Sequence, residues 1–115
     1  MELQITTKIE DEYILLCVKN ILLIENITPL KNLLNEYVDA NKHILLDISG
    51  ITFIDSSSLG ILVKFKAELE KNNKHLALVN ITSDLMRMFN STKLDKHIYI
   101  FDDVATAISS LGLNK

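Results

Sequence analysis

Asp47-Ile48-Ser49-Gly50-Ile51-Thr52-Phe53-Ile54-Asp55-Ser56-Ser57-Ser58-Leu59-Gly60 is the stretch on which the reading of the chain turns. An apolar, strand-like run from His43 to Leu46 precedes it, and a helix-like run from Gly60 to Lys71 follows. Aspartate and serine at such a boundary are first of all N-cap residues, because their oxygens accept the orphan N–H groups of a first helical turn. Three hydroxyls in succession exceed what a cap requires. The surplus marks the stretch as the candidate functional site.

Working outward on the C-terminal side, Ile61, Leu62, Phe65 and Leu69 recur at helical spacing and form a core stripe. Leu59 and Val63 widen that apolar surface sideways, either against a neighbouring helix or along the border of a partner site. Lys71 to Lys74 is a polar turn and Leu76 to Val79 the next strand. Ser83 or Asp84 caps a helix carrying Leu85, Met86, Met88 and Phe89, with the methionines as core filler. Ile98 to Phe101 is a last strand. Asp102 or Asp103 opens a final helix with Val104, Ala107, Ile108 and Leu111 inward, and Gly112 stops it.

On the N-terminal side, Ile44 to Ile48 is short and continuously apolar, as expected of an interior strand covered on both faces. Before it, Leu30, Leu33, Leu34, Tyr37 and Val38 follow helical spacing, with Asn26 or Thr28 as cap and Pro29 in the first turn. Leu3, Ile5 and Thr7 alternate with polar residues, and Tyr13 to Val18 is apolar throughout. With a turn at Asp11-Glu12, the two read as a hairpin. Ile21 to Ile24 is either a continuation of the strand or a packed loop. Two strands, a helix, then repeated strand–helix units predict one α/β domain over residues 1–115, with a mixed sheet, an N-terminal hairpin and about four helices.

Composition narrows the function. The 115 residues are 48% hydrophobic and 23% charged, which suits one globular core. A net charge of -3 argues against nucleic-acid binding, which wants a basic face. Cys17 is the one cysteine and sits in an apolar run, so it reads as a small hydrophobe in a reducing, cytoplasmic setting. No secretory signal or bilayer-length apolar run is visible, so no membrane partner is expected.

Enzyme readings fare poorly. His43, His75 and His97 each open a predicted strand, which places all three at the sheet edge opposite the serines and leaves no base for a serine nucleophile. Their spacing matches no metal motif, and each follows a lysine. Gly50, Gly60 and Gly112 are the only glycines, so there is no phosphate-cradling loop, and no cofactor is expected. Asp47 and Asp55 read as caps or turn formers. A regulatory serine fits better. Phosphate at a helix N-terminus meets free N–H groups and the positive end of the dipole, so the fold tolerates it. Its charge of about -1.5 to -2 would cost a docked partner about 3–4 kcal/mol, roughly 100- to 1,000-fold in affinity.

Ile44 to Gly60 closely resembles the signature of STAS domains of the bacterial anti-sigma-factor antagonist (anti-anti-sigma factor) family. There an apolar strand and a short loop lead to D-S-[ST]-G-L-G at the start of a helix. The similarity continues through Leu76 to Ile81, Leu85 to Phe89 and Leu94 to Ile98. The resemblance implies a transcription-regulating protein–protein interaction module that binds an anti-sigma factor, itself a serine kinase, and so releases a sigma factor. It implies Ser56 as phosphoacceptor, flanked by Asp55, Ser57 and Ser58, with Leu59, Gly60 and Val63 on the partner-facing helix. A PP2C-type phosphatase would reverse the modification. Two positions depart from the family pattern: Ser58 replaces the motif glycine, and Asn20 and Leu23 stand where the second strand tends to carry glycine and aspartate. Two alternatives remain: an unphosphorylated STAS scaffold in another signalling complex, and a small hydrolase or nucleotide-binding enzyme.

Overall fold

The N-terminal alternation closes into a hairpin. β1 (Gln4–Ile9) runs antiparallel to β2 (Tyr13–Leu22), with Ile9 opposite Ile14. In the computed structural model, which describes residues 2–93 and 96–113, the remaining elements are α1 (Thr28–Tyr37), β3 (His43–Ile54), α2 (Ser56–Glu70), β4 (Leu76–Val79), α3 (Ser83–Thr92), β5 (Tyr99–Phe101) and α4 (Val104–Leu111). The strands lie in sequence order, and every pair after the hairpin is parallel. This is the mixed α/β sheet and helix complement the sequence predicts.

Sequential parallel strands joined by crossovers of one hand place their helices on one face. The core follows that rule. Leu30 and Leu34 of α1, Leu62, Phe65 and Leu69 of α2, and Leu85 and Phe89 of α3 all pack with Ile14, Leu16, Ile44, Leu46 and Leu78. The alternate strand residues Tyr13, Leu45, Ala77 and Val79 meet Ala107 and Ile108 of α4 on the other side. β3 is thus apolar on both faces, as a covered interior strand must be.

Several boundaries differ from the sequence reading. β3 does not end at Ile48 but runs on to Ile54. Its first half lies between β2 and β4, whose last pair is Asp47 with Val79; beyond that it is held by β2 alone. Two irregularities in the β2–β3 register, between Cys17 and Lys19 and between Asn20 and Leu22, let this overhang form. At the first, Gly50 faces Lys19 so closely that an added Cβ would stand 2.6 Å from the lysine Cγ. At the second, Asn20 takes φ 88°, a left-handed conformation that asparagine tolerates better than most residues.

Helix starts also shift. Ile27 occupies the N-cap of α1 with no side-chain bond. Asn26 instead braces the connection, accepting from the Leu23 N–H at 2.8 Å and donating to the Ile21 carbonyl at 2.9 Å. Thr82, not Ser83 or Asp84, caps α3 through its Oγ1 and the Leu85 N–H, because its extended backbone aims the hydroxyl along the helix axis. Asp103 caps α4, and Gly112 ends it at φ 69°. Asn41, Asn73 and Asn80 hold further left-handed positions, so asparagine does much of the turn-making in this glycine-poor chain.

Candidate functional site

Asp55 fixes the serine turn. Its backbone is extended, so the carboxylate folds back over the first turn of α2 and Oδ1 accepts from the Ser58 N–H at 2.8 Å. Oδ2 accepts from the Ile24 N–H at 2.9 Å, and the Asp55 N–H donates to the Leu22 carbonyl at 3.1 Å. One residue therefore ends β3, starts α2 and ties both to the end of β2. Burial alone would raise its pKa. The Ser58 hydroxyl nearby and the N–H groups of Ile24 and Ser58 outweigh that and hold the carboxyl below its usual range.

The three serines have separate fates. Ser56 and Ser57, the first two residues of α2, are exposed. Helix geometry leaves their N–H groups without intrahelical carbonyls, at the positive end of a 15-residue helix. Ser58 is fully buried, and its Oγ has no hydrogen-bond partner among the described residues. The residue that replaces the motif glycine thus turns its side chain inward, away from any approaching protein.

Leu59 belongs to the core, only 2% exposed, so its widening of the apolar face serves packing first. Gly60 is exposed and Val63 half-buried. Together with Ser56 and His97, these three line a shallow hollow of about 320 Å³ along α2. His97 contradicts the sequence expectation. β5 begins only at Tyr99, and the connection leading to it passes beside α2, bringing the imidazole to the hollow that Ser56 borders. The topological argument against a serine–histidine pair holds for His43 and fails for His97. Among the described residues no hydrogen bond joins His97 to Ser56 and no carboxylate lines the hollow to orient the imidazole.

His43 opens β3 at the opposite edge and stacks on His75, ring centroids 5.3 Å apart. Among the described residues no cluster of histidine, cysteine, aspartate or glutamate is arranged to hold a metal ion. Asp47 lies within β3 rather than at a turn, where the register with β2 shifts: Oδ1 accepts from the Ser49 N–H, and Oδ2 from the Asn80 amide at 3.0 Å. Cys17, half-buried, directs its thiol to the same carboxylate at 3.9 Å. Sequence reasoning missed Ile24 and Phe53, each 47% exposed, which lie in sequence or by hydrogen bond beside Asp55. An aromatic residue two places before the motif aspartate was the available signal. Leu94 and Asp95, part of the stretch carrying the family resemblance, lie outside the described residues.

The chain is an α/β domain that presents an exposed serine at a strand-to-helix turn, with a capping aspartate just before it. The STAS domain family matches residues 4–107, and the chain belongs to it. A Thermotoga maritima protein assigned to the anti-sigma factor antagonists is 28% identical over 106 residues, covering 90% of this chain and 94% of that one. Its crystal structure superposes with a TM-score of 0.82 at 29% identity, covering 94% of each chain. SpoIIAA, an anti-sigma factor antagonist, shares the fold in its unphosphorylated form, with a TM-score of 0.71 at 15% identity over 95% of this chain and 98% of that one. The phosphorylated form of the Bacillus protein gives 0.66 at 16% identity with the same coverage. No helix among the described residues is long and apolar enough to cross a membrane.

Proposed function

We propose that the chain is an anti-sigma factor antagonist whose partner is an anti-sigma factor with serine-kinase activity, and that phosphorylation of Ser56 ends their binding. The observation that carries this reading is an exposed hydroxyl on a turn rigidly held by Asp55, beside an apolar hollow on α2. In the modification, Ser56 Oγ bonds to the γ-phosphorus of ATP on the partner, ADP leaves, and the hydroxyl proton is released. A PP2C-type phosphatase would return the serine by hydrolysis. That SpoIIAA, of the same fold, exists in phosphorylated and unphosphorylated forms supports the assignment.

The first turn of α2 accommodates the dianion, so the fold survives, while a partner seated on Gly60 and Val63 meets new charge of about -1.5 to -2. The test is calorimetric titration of the cognate kinase with wild type, Ser56→Ala and Ser56→Asp, with intact-mass measurement after incubation with ATP. Binding by Ser56→Ala, weakened binding by Ser56→Asp and one phosphoryl group gained by wild type are expected. Equal binding by all three without a mass gain would replace the switch with the scaffold reading.

A further inference from the structure

We propose that His97 is the cationic partner of phosphorylated Ser56, and that their pairing closes the hollow on α2 in the switched-off state. The inference rests on Ser56 being phosphorylated and goes beyond it, because it assigns the intramolecular group that receives the phosphate. Ser56 and His97 border one hollow whose other lining among the described residues, Leu59, Gly60 and Val63, offers no polar side chain. A dianion over such a surface is poorly solvated on that side. The turn is headed by the Asp55 carboxylate, already committed to the Ile24 and Ser58 N–H groups and repulsive to phosphate.

The first-turn N–H groups offset part of this, and one further donor at the hollow offsets the rest. An imidazole presents two N–H donors when protonated, and a charge-assisted bond to phosphate is among the stronger polar contacts. His97 is exposed, with exposed Lys96 just before it, so it is free to turn toward the phosphate without disturbing the core. The pair would occupy the space that an apolar side chain of the partner uses in the dephosphorylated state. The switch then works by occlusion as well as repulsion. A carboxylate at position 56, shorter and singly charged, would reach His97 less well.

The experiment uses the full chain with phosphoserine placed at position 56 during translation, so that no kinase is needed. The phosphate is titrated by ³¹P NMR in the wild-type, His97→Asn, His97→Gln and Lys96→Gln backgrounds, with ¹H–¹⁵N spectra confirming the fold. The expected result is a second phosphate pKa at least about 0.3 unit higher in both His97 variants than in wild type, a twofold change in proton affinity, with a smaller effect of Lys96→Gln. Identical midpoints in wild type and both His97 variants would overturn the proposal, as would a shift seen only with Lys96→Gln. A kinase that ignores Ser56 would sink the functional reading and leave this measurement standing, so the two failures are distinguishable.

Discussion

Ser56 and Ser58 are two residues apart, yet one faces solvent and the other the interior, so their substitution should separate signalling from stability. Ser58 Oγ is buried without a hydrogen bond, and a buried hydroxyl left unpaired costs about 1–3 kcal/mol. Ser58→Ala should therefore leave stability unchanged or raise it by up to about 1 kcal/mol, read as the urea midpoint at unchanged m-value. Relief of the unpaired hydroxyl is offset in part by the loss of its favourable influence on the Asp55 carboxylate. A lower midpoint would mean that the hydroxyl has a partner in solution. Asp55→Ala should do the reverse, costing about 1–2 kcal/mol through the lost cap alone, while Asp55→Asn should recover much of it. The aspartate's capping role was legible in the sequence, because an acid before a hydroxyl-rich helix start has few other uses. The inward turn of Ser58 was not, since which of three consecutive serines faces the core depends on the entry angle that Asp55 and Ile24 set between them.

Among the elements, β3 and α2 carry the site, and their glycines have opposite meanings. Gly60 lies within α2, and a Cβ there would meet nothing within 4 Å. Gly60→Ala should stabilise the helix by about 0.5–1 kcal/mol, the usual gain over glycine in a helix interior. It also puts a methyl group into the hollow, so kinase affinity should fall as thermal stability rises. Paired denaturation and calorimetry would check that divergence. Gly50→Ala should destabilise by about 1–3 kcal/mol, because the methyl would collide with Lys19 and its Cα lies only 3.3 Å away. The helical stripe of α2 was readable from periodicity. The extension of β3 past Asp47 was not: Ser49, Gly50 and Thr52 look like a loop in isolation, and only pairing with an irregular β2 makes them strand. The approach of His97 to α2 was equally hidden, since periodicity says nothing about the path of a connection between elements.

For the molecule as a whole, the acid side of the stability profile has a defined cause. His43 is buried, and its pKa lies below the ordinary value because of that burial first, then the charges of Lys74 and His75, against an opposing effect of Glu12. Its Nδ1 accepts from the His75 N–H at 3.0 Å, a bond that protonation at that nitrogen destroys. With the folded pKa depressed, the unfolded chain binds the extra proton first. Stability should hold above about pH 6.5 and decline as pH falls below it, until the folded histidine also protonates. Asp55 and Asp103, both with lowered pKa values, extend the loss at more acid pH, since their contribution is present above the unfolded carboxyl pKa and disappears below it. Urea titrations between pH 5 and 8 should show this slope in wild type and not in His43→Gln.

The overhang of β3 has a mechanical consequence. Past Asp47 the strand leans on a single neighbour, and the Asp55 N–H and Oδ2 bind the Leu22 carbonyl and the Ile24 N–H. Peeling the far end of the hairpin from the sheet therefore unlatches the phosphoacceptor turn in the same motion. In hydrogen-exchange experiments, the amides of Ile24, Asp55 and Ser58 should open together, at a free energy below that of global unfolding.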